Sequence, residues 1–269
     1  MLLAIDCGNT NIKFVLFEGD TLIAEWRTTT DKRRTADEYA VWLTQLMSLK
    51  GIQGSLVTDC IIATVVPDVL FNLRRLVQVY FEIEPLVVGE ADCNLGITVK
   101  YNKPTDVGAD RLADAIGAYS IWGGPLIVID FGTATTFNVV DRNGDYLGGI
   151  IAPGVNLNLE ALHAAAAKLP RVTVSKTDTV IGTDTPTAMR AGVYWGYLSL
   201  VEGLTLKLKQ EYGSEMTVAA TGGLAPLFAE GTKAIDHVDP HLTRRGLLEI
   251  WRRNRGPKAP LPHALDTRG

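Results

Sequence analysis

The 269-residue chain has little of several things, and each scarcity removes a class of function. Its three cysteines, Cys7, Cys60 and Cys93, are single and far apart. They offer neither a disulfide framework nor a metal knuckle, and they suit reduced thiols in a cytosolic protein. His163, His237, His241 and His263 fall outside any zinc-ligand spacing. No uninterrupted apolar stretch approaches ~18 residues, so no membrane span is expected. The apolar start lacks a basic leader and is cut by Asp6, unlike a secretory signal. With 26 basic and 30 acidic residues the net charge is −4, which argues against nucleic acid as a partner. Neither a Walker A phrase nor a dinucleotide GxGxxG occurs, which removes those two nucleotide folds. A cytoplasmic protein with neither membrane nor nucleic-acid partner is the expectation.

What is present is apolar residue in strand and helix patterns, 46% of the chain, enough for one large or two medium domains. Leu2–Ile5, Ile12–Phe17 and Leu22–Arg27 read as strands joined by tight turns. Thr35 followed by Glu38 is a capping-box signature, so a helix follows. A β-branched run stops at Pro67, a helix covers Asp68–Phe81, and "EPLVVG" supplies another strand. The pattern restarts with strands at Leu126–Asp130, Thr135–Val140 and Tyr146–Ile151. Later come the helical "NLNLEALHAAAAKL", a long helix over Thr185–Glu211, the strand "MTVAAT" and a last helix over Thr243–Arg253. The expected division is a lobe over 1–122, a second over 123–253, and a flexible proline-containing tail over 254–269.

Two strands run into the same grammar: "LLAIDCGNTN" at Leu2–Asn11 and "LIVIDFGTAT" at Leu126–Thr135. Setting Asp6 on Asp130 places Gly8 on Gly132 and Thr10 on Ala134, an internal duplication. In such a turn the glycine lets backbone wrap a ligand, and the following amides and hydroxyls can donate to phosphate. The aspartate can hold Mg²⁺ or its bound water. A third turn, Thr221-Gly222-Gly223, can admit adenine or ribose against bare backbone. Together these suggest a two-lobed kinase or ATPase with nucleotide in its cleft.

On the acceptor side, "YNKPTDVGADRLADA" places a loop over Tyr101–Val107 before a helix starting at Gly108–Ala109. Asp110 could deprotonate an attacking hydroxyl, and Arg111 could grip a carboxylate. The plainer alternative is helix-start electrostatics with a solvated arginine. Thr185 precedes Pro186, so its hydroxyl either caps the long helix or faces substrate. Ala188, Gly192, Gly196, Ser199 and Gly203 give that helix a small face suited to close packing, including against a second subunit.

The phrases "DCGNTNIKF", "YNKPTDVGADRLADA", "IDFGTATTFN", "GGIIAPG", "DTPTAM" and "ATGG", in this order, resemble the type III pantothenate kinases. These belong to the acetate kinase/sugar kinase/Hsp70/actin superfamily. The resemblance runs from Leu2 to about Arg252. It implies an α/β fold of duplicated ribonuclease H-like (actin-like ATPase) domains, with helices on mixed sheets. It also implies a homodimer that phosphorylates the primary hydroxyl of pantothenate with ATP, Mg²⁺ and a monovalent cation, K⁺ or NH₄⁺. By this resemblance Asp6, Cys7, Gly8, Asn9, Thr10, Asn11, Ile12 and Lys13 hold ATP phosphates, with Asp6 on Mg²⁺ directly or through water. Thr133, Gly222 and Gly223 lie at the nucleotide. Asp110 is the general base, while Tyr101, Gly108, Ala109, Arg111 and Thr185 contact pantothenate. Asp130, which spacing alone assigns to Mg²⁺ or a hydrolytic water, becomes the monovalent-cation ligand. Asp184 stands where asparagine is common in the family. The alternatives are another small-molecule kinase of the superfamily and a nucleotide-gated regulator.

Overall fold

Two five-stranded sheets organise the chain, and both follow one plan. The computed structural model describes residues 1–165 and 169–255. The first sheet has the order β3-β2-β1-β4-β5, built from β1 (Leu2–Cys7), β2 (Asn11–Glu18), β3 (Thr21–Thr29), β4 (Asp59–Thr64) and β5 (Leu86–Val87). The second has the order β10-β9-β6-β7-β8, built from β6 (Leu126–Phe131), β7 (Ala134–Val140), β8 (Tyr146–Pro153), β9 (Thr217–Gly222) and β10 (His237–Val238). In each, the leading strand pairs antiparallel with the next and parallel with the fourth. Parallel neighbours need crossover connections, and helices supply them.

By compactness the chain divides into Met1–Gly96 with the residues from Leu247 onward, and Ile97–Gly246. The sequence reading placed this division after Trp122. The difference lies in helix α3 (Ala109–Trp122), which packs on β6, β7 and β9 of the second sheet. The acceptor loop before it is held there as well: Lys100 N donates to Tyr146 O at 2.7 Å, and Tyr146 N to Thr98 O at 2.9 Å.

In the first unit, alternation along the strands sends Leu3, Ile5, Cys7, Ile12, Phe14 and Leu16 into one core. Helices α1 (Ala36–Leu49) and α2 (Pro67–Tyr80) cover that face with Tyr39, Leu43, Leu73 and Leu76. The expected capping box is formed: Thr35 Oγ1 accepts from Glu38 N at 3.3 Å, and Thr35 N donates to Glu38 at 2.7 Å. In the second unit, Ile127, Ile129, Phe137, Val218 and Ala220 face α5 (Thr185–Tyr212) and α6 (Ala225–Ala229). Pleating turns Asp130, Thr136, Asn138 and Thr221 to the opposite face.

Helix α7 (Leu242–Arg253) meets α3 glycine to glycine. A Cβ on Gly246 would stand 1.8 Å from Ala113 O, and one on Gly117 would stand 2.4 Å from Leu242 O. Gly246→Ala therefore forces the helices apart, and overpacking of this kind costs about 1–3 kcal/mol. A lowered urea midpoint with an unchanged m-value is the expected result.

Helix α4 (Val155–Ala165) forms as expected as far as Ala165. Of the rest of its expected span, 166–168 lie outside the described residues and Leu169 is not helical; of the expected tail over 254–269, the residues from 256 onward lie outside them. Among the described residues, no helix is long and apolar enough to cross a membrane. Cys7, Cys60 and Cys93 are free and buried.

Candidate active site

The first glycine turn joins β1 to β2. Gly8 N donates to Asn11 O at 3.0 Å, and Thr30 Oγ1 donates to Gly8 O at 2.7 Å, so the residue that follows β3 braces the turn. Asn9 and Thr10 are exposed at its tip. Asp6 and Lys13 are cross-strand partners, with Lys13 Nζ 3.5 Å from Asp6 Oδ2. Cys7 and Ile12 were expected at the phosphates, but their side chains point into the core. Only backbone at these two positions is suited to a ligand. Burial pushes the Cys7 thiol up, which makes it a poor nucleophile.

The second turn is one residue shorter. Cys7 pairs with Ile12, whereas Phe131 pairs with Thr135, and Gly132 N donates to Ala134 O at 3.1 Å. Ala134 thus corresponds to Asn11 and not to Thr10, which corrects the register expected from sequence. Thr133 is exposed on this turn.

Asp130 and the third glycine turn come together, because Asp130 pairs with Thr221 and Phe131 with Gly222. Gly222 has φ +91°, and a Cβ there would stand 2.6 Å from both Asp130 Oδ1 and Phe131 O. A Cβ on Gly132 would stand 2.9 Å from Asp130 Oδ2. The Asp130 carboxylate thus occupies a cradle walled by two glycines. Gly222, expected as bare backbone for adenosine, also backs this carboxylate. Gly223 is the open position, with nothing within 4 Å of an added Cβ. Carboxylate oxygen in a glycine-walled recess suits a hard cation. Among the described residues, no group of three or more His, Cys, Asp or Glu side chains gathers as a metal cluster. His163 Nδ1 lies 2.7 Å from Leu169 O and is engaged structurally.

Of the acceptor residues, Gly108, Ala109, Asp110 and Arg111 form the head of α3. Gly108 is its N-cap and has no side chain to cap with. Asp110 takes over part of that role, accepting from Arg111 N at 2.7 Å. Burial nevertheless raises the Asp110 carboxyl, more than the helix amides and the neighbouring Arg111 charge lower it. Arg111 is not the solvated arginine of the plainer expectation: it is 8% exposed. Its Nε donates to Asn138 Oδ1 at 2.8 Å, and its guanidinium lies 5.7 Å from the Tyr146 ring centroid. Tyr146 OH donates to the same Oδ1 at 3.0 Å. Tyr101 is 40% exposed and packs near Gly148. Asn138 and Tyr146 were missed from sequence. The available signal was one amide inside the otherwise apolar "FNVV".

Thr185 opens α5, but the cap is Asp184, which accepts from Thr187 N at 2.8 Å. That bond holds the Asp184 carboxyl below its ordinary value. Asparagine caps about as well as aspartate, so the departure at 184 preserves the helix start. Released from capping, Thr185 is exposed on the rim of a groove of about 780 Å³, with Asn158, Leu162, Met189 and Gly192 among its walls.

Residues 2–207 match the family model for type III pantothenate kinase. A type III pantothenate kinase of Paramagnetospirillum magneticum is 57% identical over 96% of this chain and 99% of its own length. One of Phenylobacterium zucineum is 57% identical over 94% and 98%. Among solved structures, a Baf family protein of Campylobacter jejuni shares the fold at a TM-score of 0.61, with 20% identity over 94% of this chain and 98% of that one. A strand-borne Asp-x-Gly turn in each sheet, a half-buried aspartate beside a buried arginine at a helix head and relatives matched over nearly their whole length agree: the chain belongs to the type III pantothenate kinase family.

Proposed function

We propose that this chain transfers the terminal phosphoryl group of ATP to the primary hydroxyl of pantothenate, giving 4′-phosphopantothenate for coenzyme A synthesis. The carrying observation is the pair at the head of α3: a carboxyl raised by burial beside a guanidinium that is itself buried. Asp110 accepts the hydroxyl proton as oxygen attacks phosphorus and the bond to ADP breaks. A raised pKa makes its carboxylate the stronger base. Arg111 holds the pantothenate carboxylate, with Tyr101, Gly108, Ala109 and Thr185 lining the acceptor. The Asp6–Lys13 segment receives the phosphates through turn amides and Lys13, while Thr133, Gly222 and Gly223 serve the nucleotide side.

Asp6 would hold Mg²⁺ directly or through water, and Asp130 would hold K⁺ or NH₄⁺. These cations neutralise phosphate charge when bound. The cradle around Asp130 fits this role because any side chain there would crowd the carboxylate. Gly222→Ala, with a Cβ 2.6 Å from Asp130 Oδ1 and a positive φ to strain it, is expected to disturb the cation. The half-activating K⁺ concentration should rise about 10-fold, as disturbed metal surroundings typically produce. An unchanged K⁺ titration of the rate would remove the cradle from the cation site.

The shared strand order and strand senses support one duplicated ribonuclease H-like plan, the actin-like ATPase fold. A homodimer is supported by α5, where a Cβ on Gly192, Gly196 or Gly203 would meet nothing within 4 Å. A second copy would fill that space and place Thr185 at a shared pocket. The three free, buried thiols agree with a cytoplasmic setting. An acceptor panel with ATP, Mg²⁺ and K⁺ tests the substrate reading. Pantothenate should be consumed while hexoses and short hydroxy acids are not, and preference for one of those would overturn it.

A further inference from the structure

Arg111 presents an electrostatic problem that the reaction alone does not explain. It is 8% exposed, yet the acceptor on its Nε is a neutral amide oxygen and its face lies toward the Tyr146 ring. A buried cation is costly without an opposing charge. Asp110 is near enough for the two charges to act on each other, but its carboxylate is turned to the helix amide, at 2.7 Å from Arg111 N. We propose that Asn138 is a positioning residue for Arg111, a neutral acceptor that aims the guanidinium while leaving its charge to an anionic substrate group. This rests on the reading of Arg111 as the carboxylate grip for pantothenate.

The amide is suited to the task by its two ends. Arginine and the tyrosine hydroxyl both donate, at 2.8 and 3.0 Å, so Oδ1 must face them. Nδ2 then donates to Thr136 Oγ1 at 3.3 Å, and the donor-only Arg111 Nε fixes the orientation of the amide. Asn138 and Tyr146 are each 0% exposed, so neither end can be satisfied by bulk water. Burial raises the Tyr146 phenol to about 12, which keeps it a donor throughout the working range. The alternatives at 138 fail for different reasons. Leucine would leave two donors unpaired, and aspartate would pair with the guanidinium and consume the charge that the substrate needs. Thr136, which accepts from the amide, is also the cross-strand partner of Asp130, so one strand serves both the grip and the cradle.

The test compares Asn138→Asp, Tyr146→Phe and Arg111→Ala by steady-state kinetics, thermal melting and calorimetric binding of pantothenate to the purified full chain. Asn138→Asp should raise the KM for pantothenate about 10-fold or more, the scale of one charge-assisted hydrogen bond. The KM for ATP and kcat should stay within about twofold, and melting should not fall, because the buried guanidinium gains a partner. Tyr146→Phe keeps the ring and loses the donor, so a rise of about threefold in the same constant is expected. If Asn138→Asp binds pantothenate normally while Arg111→Ala does not, the positioning role is overturned and the substrate reading stands. If neither variant affects pantothenate, the substrate reading itself fails. Equal losses in kcat and in both KM values would mark a merely structural role and also overturn the proposal. Should Asn138→Asp not fold, a normal pantothenate KM in Tyr146→Phe overturns it alone.

Discussion

Asp110→Asn lowers kcat for pantothenate phosphorylation by about 10²–10⁴-fold, the range that general-base catalysis contributes, with the KM for both substrates nearly unchanged. The amide keeps the shape and still accepts from the α3 amide, but it cannot take the hydroxyl proton. Stability should move the other way. Burial holds the folded-state carboxyl above its ordinary 3.8, so the group favours folding fully below that value. Its contribution is lost as pH rises through the raised value, where the buried carboxyl must ionise. Asp110→Asn removes this penalty, so its melting temperature relative to wild type should be higher at pH 7 than at pH 3. As pH drops, wild-type kcat/KM should fall through a value above 3.8, and the variant should lose this acid limb. Turnover of the variant at the wild-type rate would remove Asp110 as the base.

Arg111→Ala raises the KM for pantothenate by about 100-fold, because charge-assisted hydrogen bonds to a carboxylate are worth about 1.5–3 kcal/mol. Its effect on the KM for ATP should be small. The variant also leaves the Asn138 amide oxygen with the Tyr146 donor alone, so a modest loss of melting temperature accompanies the kinetic change. Arg111→Lys is not a rescue: an ammonium cannot reproduce the planar fork with Nε on Asn138. A steady-state titration of pantothenate at saturating ATP reads all of this.

Much of the fold was legible because its signals are local. Leu2–Cys7 and Leu126–Phe131 are short apolar runs ending in Asp-x-Gly, and both become the leading strand of a sheet. Thr35 with Glu38 marked a helix start where the structure has it. The division of the chain was less legible. Composition does not say which sheet α3 will cover, and that depends on contacts such as Gly117 against Gly246. The register of the two turns was misread for a related reason. A one-residue difference in turn length is invisible until the strands pair.

The acceptor side shows the same limit more sharply. Asp110 and Arg111 stood out as charged neighbours at a helix start, but sequence could not tell a solvated arginine from a buried one. That distinction is made by Asn138 and Tyr146, which lie 27 and 35 positions away along the chain and arrive through strand pairing. Thr185 offered two roles from sequence, and only the placement of Asp184 at the cap separated them. Gly222 was read as open backbone because nothing local reveals that Asp130 lies against it.

The central claim is that Asp110 and Arg111 direct the phosphoryl group to the hydroxyl of pantothenate while its carboxylate is held by arginine. Phosphorus NMR and mass spectrometry of the product made by the purified chain with ATP, Mg²⁺, K⁺ and pantothenate test it most directly. The expected product is a stable phosphomonoester at the primary hydroxyl, 4′-phosphopantothenate, formed with equimolar ADP. A hydroxylamine-labile acyl phosphate, or ADP released with no phosphorylated pantothenate, would contradict it.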